Sequence, residues 1–209
     1  MNRLSAFLFA VLCLLSSAQA AAPTELIPGL RYLRIHSLEK SAADLSDALT
    51  QASALVIDLR YVADESGAAQ AINVLSLPPA KPKIYILVSP ETPKAIAEVL
   101  AQASTPLVTL GIEGSRPKPE VLVAQSAAND RSAYVALDDG TTLAALISGK
   151  IDKERFDEAE LVKEFKNGNH DAHPPEGNAD GARPPNRLTD RVLQRAVHLH
   201  QALQALKRS

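Results

Sequence analysis

The sequence predicts an α/β domain: repeated strand-helix units that build a largely parallel sheet, with a C-terminal helix packed on it. Short apolar runs begin at residues 30, 54, 83 and 106, and one helix's worth of chain separates each from the next. That rhythm is the pattern of parallel strands joined by helical crossovers. Near the chain end, Val192, Ala196, Leu199, Leu203 and Leu206 recur at alternating four and three spacing, the stripe of an amphipathic helix.

The first run, "LRYLRIHSL" (30–38), has apolar residues on both alternations and lacks a clean polar face, which suits a strand covered on both sides. A helix follows in "EKSAADLSDALTQA", with Leu45, Ala48, Leu49 and Ala52 on one face and Ser41 with Asp44 as a capping box. The next elements are a strand "ALVIDLR" (54–60), a helix at 66–77 stopped by Pro78-Pro79, and a strand "KIYILV" (83–88). A helix at 91–103 and a strand "PLVTLG" (106–111) complete the regular part. Beyond Gly111, "EVLVAQ" (120–125) and "SAYVALDDGTTL" (132–143) read as further strands, with Asp139-Gly140 as a turn. "DKERFDEAELVKEFKNG" predicts a charged helix whose apolar stripe is Phe156, Leu161, Val162 and Phe165. Residues 167–187, rich in Gly, Pro, Asn and Asp, predict a flexible surface loop. The closing helix at 188–206 is short for a free coiled coil, so its stripe reads either as a lid on the sheet or as a contact for self-association.

The chain begins with a short basic start at Arg3, an apolar run from Ala6 to Leu15, and Ala18-Gln19-Ala20. This is the anatomy of a signal peptide at 1–20, too short to span a bilayer, and predicts an exported, secreted or periplasmic protein with one domain at 21–209. Cys13 is the chain's single cysteine, so cleavage leaves no disulfide, thiolate ligand or thiol nucleophile. Losing Arg3 takes the net charge from −2 to about −3, which favours neither nucleic acid nor an anionic membrane. Without Trp, and with Tyr32, Tyr61, Tyr85, Tyr134, Phe156 and Phe165 as its aromatics, the exported part lacks a base- or sugar-stacking platform.

"GLRYLRIHSLEKSAADLSDALTQASALVIDLR" resembles the start of the catalytic domain of tail-specific proteases (C-terminal processing peptidases), where a strand of the type "GYIRIxSF" leads through "LxxALxxL" to "GLILDLRNNPGG". The matching residues are Gly29, Tyr32, Arg34, Ile35, Ser37, Leu45, Ala48, Leu49, Leu55, Ile57, Asp58, Leu59 and Arg60. "ILVSPETPKAIAEVL" falls in that family's nucleophile slot, "TLGIEGSRPKPEVLV" in its base slot, and "LTDRVLQRAVHLHQAL" is similar to its closing helix. The resemblance runs from about Gly29 to Leu206 with no PDZ insertion, and implies a crotonase-like architecture and a Ser-Lys serine peptidase site.

Chemistry of that kind needs a serine at a helix start, a neutral lysine beside it and two backbone N–H groups for the oxyanion. Aligned on the strand and helix, Lys94 occupies the nucleophile position, and Pro90 and Pro93 each remove an N–H donor. "YVADES" replaces "NNPGG", so Asp64 and Glu65 stand where paired glycines would be, with Gly67 two places late. Lys118 falls near the base position but is bracketed by prolines. The resemblance therefore implies a pseudopeptidase with a peptide-binding cleft formed by Tyr61, Val62, Asp64, Glu65 and Gly67 and by the turn from Ser89 to Lys94. Two alternatives stand beside it: an active peptidase with Ser89 (or Thr92) as displaced nucleophile and Lys118 as base, and a structural subunit that self-associates through its last helix. No cofactor is expected, and peptide or protein is the expected partner. Ser89 reads more simply as the residue that ends its strand and helps cap the next helix, Asp58 as an architectural carboxylate for Arg60 or backbone N–H groups, and His170, His173, His198 and His200 as poor metal ligands.

Overall fold

A computed structural model describes residues 23–63, 83–103, 106–148 and 188–208. These residues form an α/β fold around a six-stranded sheet in the order β1-β2-β3-β4-β5-β6. The strands are β1 (Thr24–Ile27), β2 (Leu30–Arg34), β3 (Ala54–Asp58), β4 (Lys83–Val88), β5 (Leu107–Gly111) and β6 (Val121–Leu122). The helices are α1 (Leu38–Gln51), α2 (Lys94–Gln102), α3 (Ala127–Ala136), α4 (Leu143–Ile147) and α5 (Arg191–Arg208). β1 pairs antiparallel with β2, and every later neighbour is parallel.

The absence of a polar face on the central strands is explained by two apolar layers. All five positions of β3 are buried. Leu55 and Ile57, with Leu33, Ile84 and Ile86, face one cluster that takes Leu45 and Ala48 from α1 and Ile96 and Leu100 from α2. Ala54 and Val56, with Tyr32, Tyr85, Leu87 and Leu110, face the other, which takes Val192, Leu193, Ala196 and Val197 from α5. Because α1 and α2 lie on the same face and the strand order is sequential, their two crossovers have one hand.

Several boundaries and one assignment differ from expectation. β2 ends at Arg34, and α1 begins at Leu38 behind Ser37, so Ser41 lies inside the helix and caps nothing. α2 begins at Lys94 with Pro93 as its N-cap. β6 keeps two residues of the expected strand. Residues 132–143, expected as a strand, belong instead to the end of α3, a turn at Gly140 (φ +86°) and the start of α4. Ser126 fixes the start of α3 by accepting a hydrogen bond from Asn129 N at 3.3 Å, and Asp130, Ala133 and Tyr134 then face inward at helical spacing. An aspartate on the inward face hid that period. β1, an unpredicted strand, turns into β2 at Gly29, whose φ of +83° suits glycine.

The closing helix is a lid: Val192, Leu193, Ala196 and Val197 are buried against the sheet, while Leu206 is 73% exposed. His200, expected near the stripe's edge, is buried between Tyr85 Oη at 3.2 Å and Gln204 Nε2 at 2.7 Å. Burial, helped by nearby Lys83, lowers its pKa. The helix expected at 66–77, the Phe156–Phe165 stripe, the loop at 167–187 and the signal segment lie outside the described residues. Among the described residues, no helix is long and apolar enough to cross a membrane.

Candidate functional site

In a parallel sheet the turns beyond the strand carboxyl ends gather on one side, and that is where sites are built. Here the turn after β4 is held tightly. The buried Ser89 hydroxyl donates to the Arg60 carbonyl and accepts from Glu91 N at 3.1 Å. Ser89 N donates to Thr92 Oγ1 at 2.9 Å, Thr92 Oγ1 donates to Leu59 O at 3.1 Å, and Thr92 N donates to Ser89 O at 3.2 Å. Pro90 and Pro93 have no N–H to offer. From residue 89 to residue 93, every backbone N–H is engaged within the turn.

The turn after β5 locks onto it. Ser115 Oγ donates to Val88 O at 3.2 Å, and Arg116 N donates to Ser89 O at 3.2 Å. A Cβ at Gly111 would sit 2.7 Å from both Ser115 Oγ and Val88 O, so the strand end can approach this closely because residue 111 is glycine.

Beneath these turns lies a group of charges that spacing alone could not reveal. Arg60 is fully buried, as are Asp58, Asp130 and Asp190. Its Nε donates to Asp58 Oδ1 at 3.0 Å, and one terminal nitrogen donates to Asp58 Oδ2 and Asp190 Oδ2, both at 2.7 Å. The other donates to Asp130 Oδ1 at 2.8 Å and Asp190 Oδ1 at 3.1 Å. The whole guanidinium fork is thereby satisfied. Asp58 also accepts from Arg60 N at 3.2 Å and Tyr32 Oη at 2.8 Å, in keeping with its expected architectural role. Asp190 accepts from Leu193 N at 2.9 Å as the N-cap of α5, and Asp130 accepts from Tyr61 Oη at 2.6 Å. One guanidinium thus binds the end of β3 to α3 and α5.

The aromatic residues surround it. Tyr134 stacks under Arg34, whose Cζ is 3.7 Å from the ring centroid, and meets Tyr61 edge-on at 4.7 Å. Arg34 makes a two-pronged pair with Asp138 at 2.8 and 2.9 Å. Arg131 covers Tyr61 at 4.4 Å and pairs with Glu91 at 3.0 Å. Burial raises the Tyr32 pKa well above its ordinary value, and the Asp58 charge adds to that. Burial also pushes Asp58 up, but the Arg60 charge and hydrogen bonds from Arg60 and Tyr32 outweigh it, holding the carboxyl below its usual range. For Asp130, burial wins over Arg60 and Tyr61, and its pKa is raised. Burial and the bond to Asp130 raise Tyr61.

Of the residues singled out in the sequence, Tyr61 (half-buried) and Val62 (buried) follow β3, and Ser89 follows β4 and is tied to the carbonyl of Arg60, the residue before Tyr61. Lys94 points outward, its side chain 79% exposed and 3.4 Å from Glu98. Lys118 is exposed. Asp64, Glu65 and Gly67 lie outside the described residues. Asp130, Asp190, Arg34 and Tyr134 were missed, because each is meaningful only through a partner distant in the chain. Among the described residues, no group of three or more His, Cys, Asp or Glu side chains is arranged to hold a metal ion; the Asp58, Asp130 and Asp190 carboxylates converge on a guanidinium instead.

Fold and site together define an α/β protein with a mostly parallel sheet, whose strand-end turns are cross-tied over a buried ionic cluster. No protein-family model matches the chain, and no curated protein matches it.

Proposed function

We propose that this is an exported, catalytically inactive relative of the tail-specific proteases, of crotonase-like architecture, that holds a peptide or protein partner at the carboxyl end of its sheet. The observation that carries this reading is the turn from Ser89 to Pro93. Its serine proton is engaged by the Arg60 carbonyl, and its N–H groups are engaged by Ser89 and Thr92. A peptidase needs both the serine and the N–H groups free for substrate. The outward Lys94 at the nucleophile position and the exposed Lys118 support the same reading. The half-buried Tyr61, flanked by Arg131 and Glu91, offers an aromatic and polar rim on which a peptide could rest.

The test incubates the protein with a serine-reactive fluorophosphonate and, separately, titrates a reduced and alkylated unfolded protein while recording amide resonances. The expected result is no labelling, no cleavage of the unfolded protein, and shifts concentrated at Tyr61, Val62 and residues 89–94. Labelling of the wild type that vanishes in Ser89→Ala would overturn the inactive reading and favour Ser89 with Lys118. Absence of shifts at those residues would remove the binding role.

A further inference from the structure

Formal charge does not balance inside the cluster. Three fully buried carboxylates face one guanidinium, so full ionisation would leave an excess of two negative charges shielded from water. Burying unpaired charge costs several kcal/mol, and a proton on one carboxyl halves the excess to a single charge. The hydrogen bonds say which one. Asp58 accepts four: from Arg60 Nε, a terminal Arg60 nitrogen, Arg60 N and Tyr32 Oη. Asp190 accepts from both terminal nitrogens and from Leu193 N. Asp130 has one guanidinium contact and Tyr61 Oη. It is the carboxyl with the least stabilisation of its charge, and its second partner is a neutral hydroxyl that can equally accept.

We propose that the folded protein keeps one proton in this cluster, on the Asp130 carboxyl shared with the Tyr61 hydroxyl, and that releasing it as pH rises loosens α3 from the sheet. In the protonated form Asp130 Oδ2–H donates to Tyr61 Oη across the same 2.6 Å, and Asp130 Oδ1 still accepts from Arg60. Tyr61 is half-buried, so it reaches toward solvent where Arg60, Asp58 and Asp190 do not. When the proton leaves, Asp130 becomes the third anion on Arg60. The groups facing Asp130 are Arg60 and Tyr61 from the end of β3 and Asp190 ahead of α5; Asp58 shares the same guanidinium, and the Glu91 charge acts on Tyr61. On its own helix lie Arg131, which is turned to Glu91, and Tyr134, which stacks with Arg34. The raised Asp130 and lowered Asp58 agree with this division of charge. Since the folded state binds the Asp130 proton more tightly than the unfolded chain, its contribution is complete below the ordinary carboxylate range and is lost as pH rises through the folded value. Tyr61 and α3 flank the strand-end turns, so this proton sets how firmly that face is held.

The experiment follows the assigned Asp130 carboxyl carbon in aspartate-labelled protein as pH is raised, together with hydrogen exchange of the α3 amides corrected for intrinsic rates. The expected result is an Asp130 midpoint above the ordinary carboxylate range. Protection of α3 should fall by roughly tenfold per pH unit between that range and the midpoint, then level off. In Asp130→Asn, whose amide imitates the neutral acid, that fall should be absent. An Asp130 carboxyl that titrates within or below the ordinary range overturns the proposal, and so does an equal fall of protection in Asp130→Asn. Should that variant fail to fold, the wild-type titration decides alone.

Discussion

Arg60 and Asp190, 130 positions apart in the chain, are joined by two hydrogen bonds of 3.1 and 2.7 Å, with neither residue exposed to solvent. Asp190 is also the cap of α5, so one carboxylate starts the lid helix and ties it to the end of β3. Replacing Arg60 by Met should therefore strand three carboxylates and cost about 3–5 kcal/mol or more, measured by urea unfolding at neutral pH. Asp190→Asn keeps an oxygen for Leu193 N and should cost clearly less. Equal losses would mean that the Arg60–Asp190 pair accounts for the whole effect, with nothing left to the Asp58 and Asp130 contacts.

The Asp58 carboxyl, held low by Arg60 and Tyr32 against the effect of burial, gives the fold a dependence on acid. Its stabilisation is present above the unfolded carboxylate value of about 3.9 and is lost as pH falls through the lower folded value. Tyr32→Phe removes a buried donor to a charge and should cost about 1.5–3 kcal/mol at pH 7. Thermal melts of the two proteins should draw together only as pH falls through the Asp58 folded value, which lies below the unfolded carboxylate range.

Gly111→Ala introduces a methyl 2.7 Å from a backbone carbonyl, Val88 O, which cannot move without disturbing the β4–β5 ladder. Overpacking of this kind costs about 1–3 kcal/mol, and chemical denaturation would show it. An unchanged midpoint would mean that the β5 turn shifts freely off β4.

At the start of α3, Ser126 is exposed and its hydroxyl accepts from Asn129 N. Ser126→Ala should cost about 1 kcal/mol. Because α3 delivers Asp130 and Tyr134, near-ultraviolet circular dichroism from the tyrosines should report the same loss at a lower denaturant concentration.

Lys94→Ser places a serine where the proposed relationship to tail-specific proteases would put a nucleophile, yet it should remain unreactive to fluorophosphonate. The turn before it has its N–H groups engaged, and Lys94 faces solvent at the first position of α2. Covalent labelling of this variant, detected by intact mass, would show that the turn opens in solution.

Much of the sheet was legible because burial on both faces leaves a local mark: uninterrupted apolar runs such as "ALVID" and "KIYILV" can belong to few other environments. α3 was not legible, since its inward position at residue 130 is an aspartate, and an acidic residue normally marks the solvent side. The Ser89 turn was partly legible. Its prolines announced missing donors, whereas the Arg60 carbonyl that takes the serine proton could be found only in three dimensions.

The sequence by itself determined the α/β class, the largely parallel sheet, and the amphipathic helix near the end of the sequence, because strand and helix periods are properties of neighbouring residues. Only the tertiary structure decided that Asp58, Asp130 and Asp190 would share one guanidinium, and that Tyr32, Tyr61 and Tyr134 would surround it. A buried charge is tolerable only with its partners in place, and those partners arrive from segments that meet when the sheet and its covering helices have assembled.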